Sequence, residues 1–154
     1  MNKIVLLIIF LLINFGGLAI GNWLMDNGPQ TQWYLNLNKA PWTPPGWVFG
    51  FAWTAIMICF SIYLIQLYDE ISLKLFITLL VIEYILNVSW NYVFFNQHQT
   101  VMGFIILMLL TAVVFYYFFN FQFEKLKYWR ILLIPYMLWL CIANSLNLYI
   151  ILKN

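Results

Sequence analysis

Charge is the scarcest property of this 154-residue chain: Asp, Glu, Lys and Arg make up 8% of it, against roughly 25% in an ordinary soluble domain. That shortage excludes a solvated surface wrapped around a single core. The seven basic residues are scattered and the net charge is only +2, which excludes a basic nucleic-acid face. Cysteine is nearly absent. Cys59 and Cys141 both fall inside apolar runs, so neither a disulfide framework nor a CxxC metal or redox pair is available, and both read as small packing residues. The single histidine, His98, lies in a turn and reads as solvated rather than as a haem ligand. No metal site is expected.

Apolar residues supply 65% of the chain and aromatic residues 21%, with a mean hydropathy of +0.88. Because a helix needs about 20 mostly apolar residues to cross the hydrocarbon core, the length divides into bilayer crossings. Runs at about 4–25, 44–67, 73–95, 101–119 and 129–152 predict an all-α integral membrane protein, with residues 1–154 forming one five-helix domain. Helices rather than a barrel are expected, since runs of this length satisfy their own backbone in lipid. The longest polar segment, 26–43, becomes a lid between the first two helices, and Pro44-Pro45 opens the second helix. Lys3, the apolar stretch after it and Ala19-Ile20-Gly21 also resemble a cleavable signal. Against cleavage, Asn14 interrupts that stretch and the run continues to Met25.

One side of the predicted bundle holds Lys3, Lys74, Lys125, Lys127 and Arg130; the other holds Lys39 and Lys153. The basic side is expected inside, which puts the 26–43 loop outside. Trp53 then lies about 13 Å below the outer start of its helix. Asn87, Trp90, Asn91 and Phe94 are spaced to share one face of the third helix, and Tyr136, Trp139, Ala143 and Asn147 one face of the fifth, with Asn144 beside it. Asn22 sits near the outer end of the first helix. The fourth helix offers only Thr111 and is expected to face lipid or a second protomer. Amides and tryptophans therefore gather in the outer half, beneath the lid. Such a composition suits a pocket for a large, flat, apolar ligand with polar edges. Trp23, Trp47 and Trp129 are expected in interfacial belts instead.

Glu83 is the one acidic or basic residue well inside a run. It is expected to be protonated or hydrogen-bonded within the bundle, with no embedded cation to pair it. Gly17 and Gly21, and again Gly46 and Gly50, have the GxxxG spacing that permits close helix approach. Leu146, Tyr149 and Lys153 fit a loose pattern proposed for sterol contact.

Trp33-Tyr34, Leu37-Asn38-Lys39-Ala40-Pro41-Trp42-Thr43-Pro44-Pro45, Phe49 and Trp53 together resemble the first loop and second helix of the translocator protein family. Members of that family are also called tryptophan-rich sensory proteins or peripheral-type benzodiazepine receptors. The similarity continues through Leu86-Asn87, Trp90 and Phe94-Phe95, then through Pro135-Tyr136, Leu138-Trp139, Ala143, Leu146 and Asn147. It spans nearly the whole chain and is most specific in combination. The resemblance implies a five-helix bundle, often a homodimer, in the bacterial cell membrane. Its ligands would be protoporphyrin IX or related tetrapyrroles and synthetic isoquinoline or benzodiazepine-type compounds, with no further cofactor. It implies ligand contacts at Trp33, Tyr34, Phe49, Trp53, Asn87, Trp90, Trp139, Ala143, Leu146 and Asn147. Glu83, Asn91 and Asn144-Ser145 depart from the family pattern and bear on ligand preference.

Three activities are compatible with this reading: tetrapyrrole sensing by a membrane receptor, light- and oxygen-dependent porphyrin breakdown with Trp53 and Trp139 as the reacting indoles, and translocation of lipophilic ligands. The chain has no nucleophile, metal cluster or paired carboxylates for chemistry in the dark. Nor does it show the inverted repeat or broken helix common in secondary transporters.

Overall fold

The computed structural model describes residues 2–154. Its helices are α1 (Lys3–Leu24), α2 (Gln32–Asn36), α3 (Gly46–Tyr68), α4 (Leu73–Asn91), α5 (Thr100–Asn120) and α6 (Ile134–Lys153). A π turn, Tyr92–Asn96, prolongs α4, and a 3-10 turn, Trp129–Leu133, leads into α6. All but α2 are long and apolar enough to cross a bilayer. At 22 residues, α1 is about 33 Å long, enough for the hydrocarbon core.

The helix ends follow from local chemistry. The Asn2 side chain accepts from the Ile4 amide and starts α1. The left-handed Asp26 and Asn27 end its last turn, at φ 47° and 55°. Thr31 caps α2 through the Tyr34 amide, and Ser72 caps α4 through that of Leu75. Two predicted starts shift inward. Helix α3 begins at Gly46 rather than at residue 44, because each proline pushes its predecessor into extended backbone and Pro45 itself keeps ψ at 150°. Helix α6 begins at Ile134 rather than at 129. Pro135, without an N–H to give the preceding turn, leaves Trp129–Leu133 wound as 3-10 helix. The other bounds move by a residue or so, apart from the third helix, whose last turn is π rather than α.

The core is densest away from the lid. Phe60, Tyr63, Leu64, Leu67, Leu110, Val114, Tyr117 and Leu140 are fully enclosed there. Around them the surface is apolar: Leu12, Phe51, Ile85, Leu109 and Leu138 point outward, as lipid-facing residues would. Trp23, Trp47 and Trp129 are also exposed, the first two at 78% and 73%, as belt positions require. Cys59 is half-buried, but Cys141 lies on the outer surface of α6 and is not a packing residue.

Contacts sort the connections into two ends. Lys125 pairs with Glu70 at 3.0 Å and Lys3 reaches Gln66 at 3.4 Å, so the N-terminal residues and the turns after α3 and α5 share one end. At the other end, Asn38 of the lid meets Asn154.

The α1 glycines are used inside the protomer. A Cβ on Gly17 would stand 2.9 Å from the Tyr84 ring, and one on Gly21 2.7 Å from the Asn91 amide, so α4 packs directly on α1 there. Gly46 and Gly50 have open space beside them. Helix α5 does not face outward on all sides. One stripe of it, Gly103, Leu107, Leu110, Val114 and Tyr117, is buried, while Ile105, Met108, Leu109 and Phe119 face outward.

Candidate functional site

The lid is folded rather than loose. Its 3-10 turn, Gly28–Gln30, and α2 place Trp33 and Tyr34 against the π turn of α4. Trp33 meets Phe94 edge-on at 5.6 Å, and Tyr34 meets Phe95 at 5.3 Å. Trp90 stacks on Phe94 at 5.4 Å with 14° between the ring planes. The His98 ring, although exposed, stacks on Trp33 at 4.1 Å and 15°. Gly28 allows this seating, because any Cβ there would drive into the Phe95 side chain. Lys39 bonds the Tyr34 carbonyl at 2.9 Å and holds its ammonium over the Tyr34 ring at 4.6 Å. Burial raises the Tyr34 phenol above its usual pKa of 10.

A second aromatic group lies between α3 and α6. Phe49 meets Trp139 edge-on at 5.1 Å, and Trp53 meets Tyr136 at 5.9 Å. Trp90 packs against both the main core and the cluster under the lid, so it joins the two groups. Ala143 packs against the main core, and Leu146 and Asn147 are buried on α6. Asn87 is half-buried. The aromatic residues expected at the site thus fall into two groups of contacting rings, with Trp90 packed against both clusters.

The polar groups in this region are incompletely matched. Asn147 is 2% exposed, yet neither atom of its carboxamide has a partner. The buried Nε1 of Trp90 and Oδ1 of Asn144 are also unpaired. Each such group forfeits roughly 1–3 kcal/mol relative to a bonded one. Gly103 accounts for the position of Asn147: its would-be Cβ lies 3.2 Å from Phe94 and 3.4 Å from Asn147 Nδ2, so a glycine on α5 lets α4 and α6 close over this point. Asn144 donates to Thr111 Oγ1 at 2.8 Å, which ties α6 to α5.

Some sequence expectations are redistributed. Asn91 does not join Asn87 and Trp90 on the site face. It turns toward Gly21 and donates to the Asn87 carbonyl at 3.3 Å, because α4 is wedged against α1 along that side. Asn22 faces outward. Leu146 is buried and Tyr149 lies under Trp42 at 5.4 Å, so the sterol-like pattern forms no single lipid-facing patch. Two clefts of about 320 and 260 Å³ open on the α1–α4 side, lined by Leu24, Tyr84 and Tyr92 and by Trp23, Asp26 and Asn96.

Three pairings were not legible in the sequence, although a hydrogen bond to Glu83 within the bundle was expected. Tyr136 donates to Glu83 Oε1 at 2.6 Å, giving the intramembrane carboxyl a neutral partner. Trp42 Nε1 donates to Ser145 Oγ at 3.1 Å, and Asn38 Nδ2 donates to the Lys153 carbonyl at 3.1 Å; both tie the lid to α6. A polar residue at the lid and another near residue 154 were the only signals available in advance. Among the described residues, no group of three or more His, Cys, Asp or Glu side chains could hold a metal ion.

The TspO/MBR family model matches residues 7–152. Over 141 residues the chain is 30% identical to tryptophan-rich protein TspO of Archaeoglobus fulgidus, covering 87% of each chain. It is 29% identical over 120 residues to the tryptophan-rich sensory protein of Cereibacter sphaeroides, covering 75% of this chain and 73% of that one. It is 27% identical over 126 residues to protein CrtK of Rhodobacter capsulatus, with 75% and 74% covered. With five apolar helices of membrane-spanning length and a family match over nearly its whole extent, this chain is a multi-pass membrane protein belonging to the TspO/MBR family.

Proposed function

We propose that the protein is a membrane receptor for tetrapyrroles such as protoporphyrin IX, and that the ligand sits in the outer half of the bundle beneath the 26–43 lid. The observation that carries this reading is the Asn147 carboxamide, buried without a partner where Gly103 lets it approach Phe94, the ring on which Trp90 stacks. A flat macrocycle offers aromatic faces to the tryptophans and polar edges to orphaned amides; synthetic isoquinoline and benzodiazepine-type compounds offer a smaller version of the same surface. In this reading Trp33, Tyr34, Phe49, Trp53, Asn87, Ala143 and Leu146 complete the walls. The lid moves to admit the ligand, and the aromatic rings now touching one another separate around it.

The basic end, with Lys3, Lys74, Lys125, Lys127 and Arg130, faces the cytoplasm under the positive-inside rule, which puts the lid outside the bacterial cell membrane. A homodimer is the proposed assembly. Light-dependent breakdown of the bound ring is a second reading, favoured by the contact of the Trp53 indole with an oxidisable phenol, Tyr136.

Titration of purified protein with protoporphyrin IX, followed by tryptophan fluorescence in darkness, tests the proposal. Saturable quenching that weakens at least about tenfold in Asn147→Leu, a loss of about 1.4 kcal/mol, supports it. Unsaturable quenching, or equal affinity in the variant, refutes the ligand or its location respectively.

A further inference from the structure

Glu83 and Tyr136 stand apart from the rest of the polar groups in the bundle. Both are 1% exposed, and the phenol donates to the carboxyl oxygen across 2.6 Å. Neighbouring helices are tied by neutral groups elsewhere: Asn14 to Ser61 at 2.8 Å and Asn144 to Thr111 at 2.8 Å. A glutamine at position 83 would tie α4 to α6 in the same way, without the cost of an acid in lipid. What an acid adds is the capacity to take and return a proton.

The surroundings indicate when that capacity would be used. Tyr136 lies against the indole of Trp53 at 5.9 Å, on the side toward the lid. On its other side it meets Phe60 at 5.7 Å, and Phe60 separates it from Tyr117. A phenylalanine ring does not yield an electron under conditions that oxidise tryptophan or tyrosine. An oxidising equivalent arriving at Trp53 therefore has Tyr136 as its neighbouring donor, and Tyr136 has Glu83 in hydrogen-bond contact.

We propose that Trp53, Tyr136 and Glu83 form a relay that moves an oxidising equivalent off the ligand-facing indole. The relay rests on the tetrapyrrole reading only for its oxidant, a photoexcited aromatic macrocycle. Trp53 gives one electron to the excited macrocycle, which becomes its radical anion, and the indole becomes a radical cation. Tyr136 then returns one electron to Trp53. Its phenolic O–H bond breaks, and in molecules whose Glu83 is a carboxylate the proton passes to it, forming a carboxylic acid and leaving a neutral phenoxyl radical. Reversal of the last transfer, with the electron coming back from the macrocycle radical anion, restores all three side chains. The relay spares the indole from irreversible oxidation.

Pulse radiolysis of the detergent-solubilised full chain tests the relay without any tetrapyrrole, using azide radicals, which take electrons from tryptophan in preference to tyrosine. Decay of the indolyl absorption with matching growth of phenoxyl absorption is expected in the wild type, slowed in deuterium oxide. Trp53→Phe and Tyr136→Phe should each remove the same kinetic component, and the double variant no more than either. Glu83→Gln, which keeps a hydrogen-bonding oxygen, should lose that component while the protein stays folded by circular dichroism. An unchanged component in Tyr136→Phe or Glu83→Gln overturns the relay, as does the lack of a solvent isotope effect in the wild type, which needs no variant. Protoporphyrin quenching of the kind described above, found without this component, leaves the ligand reading intact and removes the relay. The component found without saturable quenching keeps the relay and removes the ligand.

Discussion

Asn38 in the lid and Asn154 at the far end of α6 hold one another through three hydrogen bonds. The Asn38 amide and side-chain nitrogen donate to Asn154 Oδ1 at 2.9 and 3.4 Å, and Asn154 Nδ2 donates to the Asn38 carbonyl at 3.4 Å. The pair spans 116 positions of sequence and ties the lid down at that end of the bundle. These residues are exposed, so each bond is worth little alone, but together they oppose lid opening.

Asn154→Ala is expected to loosen the lid without unfolding the bundle. Proteolytic cleavage within residues 26–43 should accelerate about two- to tenfold, the equivalent of roughly 0.5–1.5 kcal/mol of lost bonding, with the melting temperature nearly unchanged. Equal cleavage rates in variant and wild type would show that the latch carries no energy.

The buried pair between α4 and α6 has the opposite signature. Tyr136→Phe removes the phenol that donates to the buried Glu83 carboxyl, and a stability loss of roughly 1–3 kcal/mol is expected from the lost buried bond. Glu83→Gln retains a partner for the phenol, so it should cost less and change ligand affinity by under about tenfold. Unfolding in a denaturing detergent titration, with ligand quenching in parallel, checks both.

Glycine substitutions separate a tight approach from an open face. Gly28→Ala forces a methyl into Phe95 under the lid, and overpacking of this kind costs about 1–3 kcal/mol. Gly50→Ala meets nothing within 4 Å and is expected to change stability by less than about 0.5 kcal/mol. Comparable melting temperatures for the two variants would contradict the close seating of the lid on the π turn.

Alkaline pH should release the lid through Tyr34. Its phenol is held above the usual pKa of 10 by burial, so the packed lid favours the neutral form. That contribution is fully present below pH 10. It is lost as the pH rises from the unfolded value through the raised folded one. Tyrosinate absorbance and lid proteolysis should therefore rise together above pH 10 in the wild type, and Tyr34→Phe should remove the shared component.

Much of the architecture is legible in the chain without coordinates. Water's exclusion from the bilayer core leaves helices as the solution for apolar runs of this length, so five crossings and the lid between the first two follow from hydropathy and length. The concentration of Asn87, Trp90, Trp139 and Asn147 toward the lid end follows from spacing and rise per residue. Other assignments required the packed bundle. Spacing says which side chains share a face of one helix, but not which helix confronts that face. When most neighbours are similarly apolar, the choice is made by shape. Glycines at 17 and 21 admit α4, and so Asn91 turns toward α1 rather than toward Asn147. Gly103 lets Phe94 and Asn147 close together across α5. Glu83 has an unambiguous depth in the sequence, but its partner, Tyr136, lies 53 positions away and is selected only by the approach of α4 to α6. The lid's position above the bundle is a matter of chain connectivity, whereas its attachment to Asn154 and Ser145 depends on where α6 ends in space.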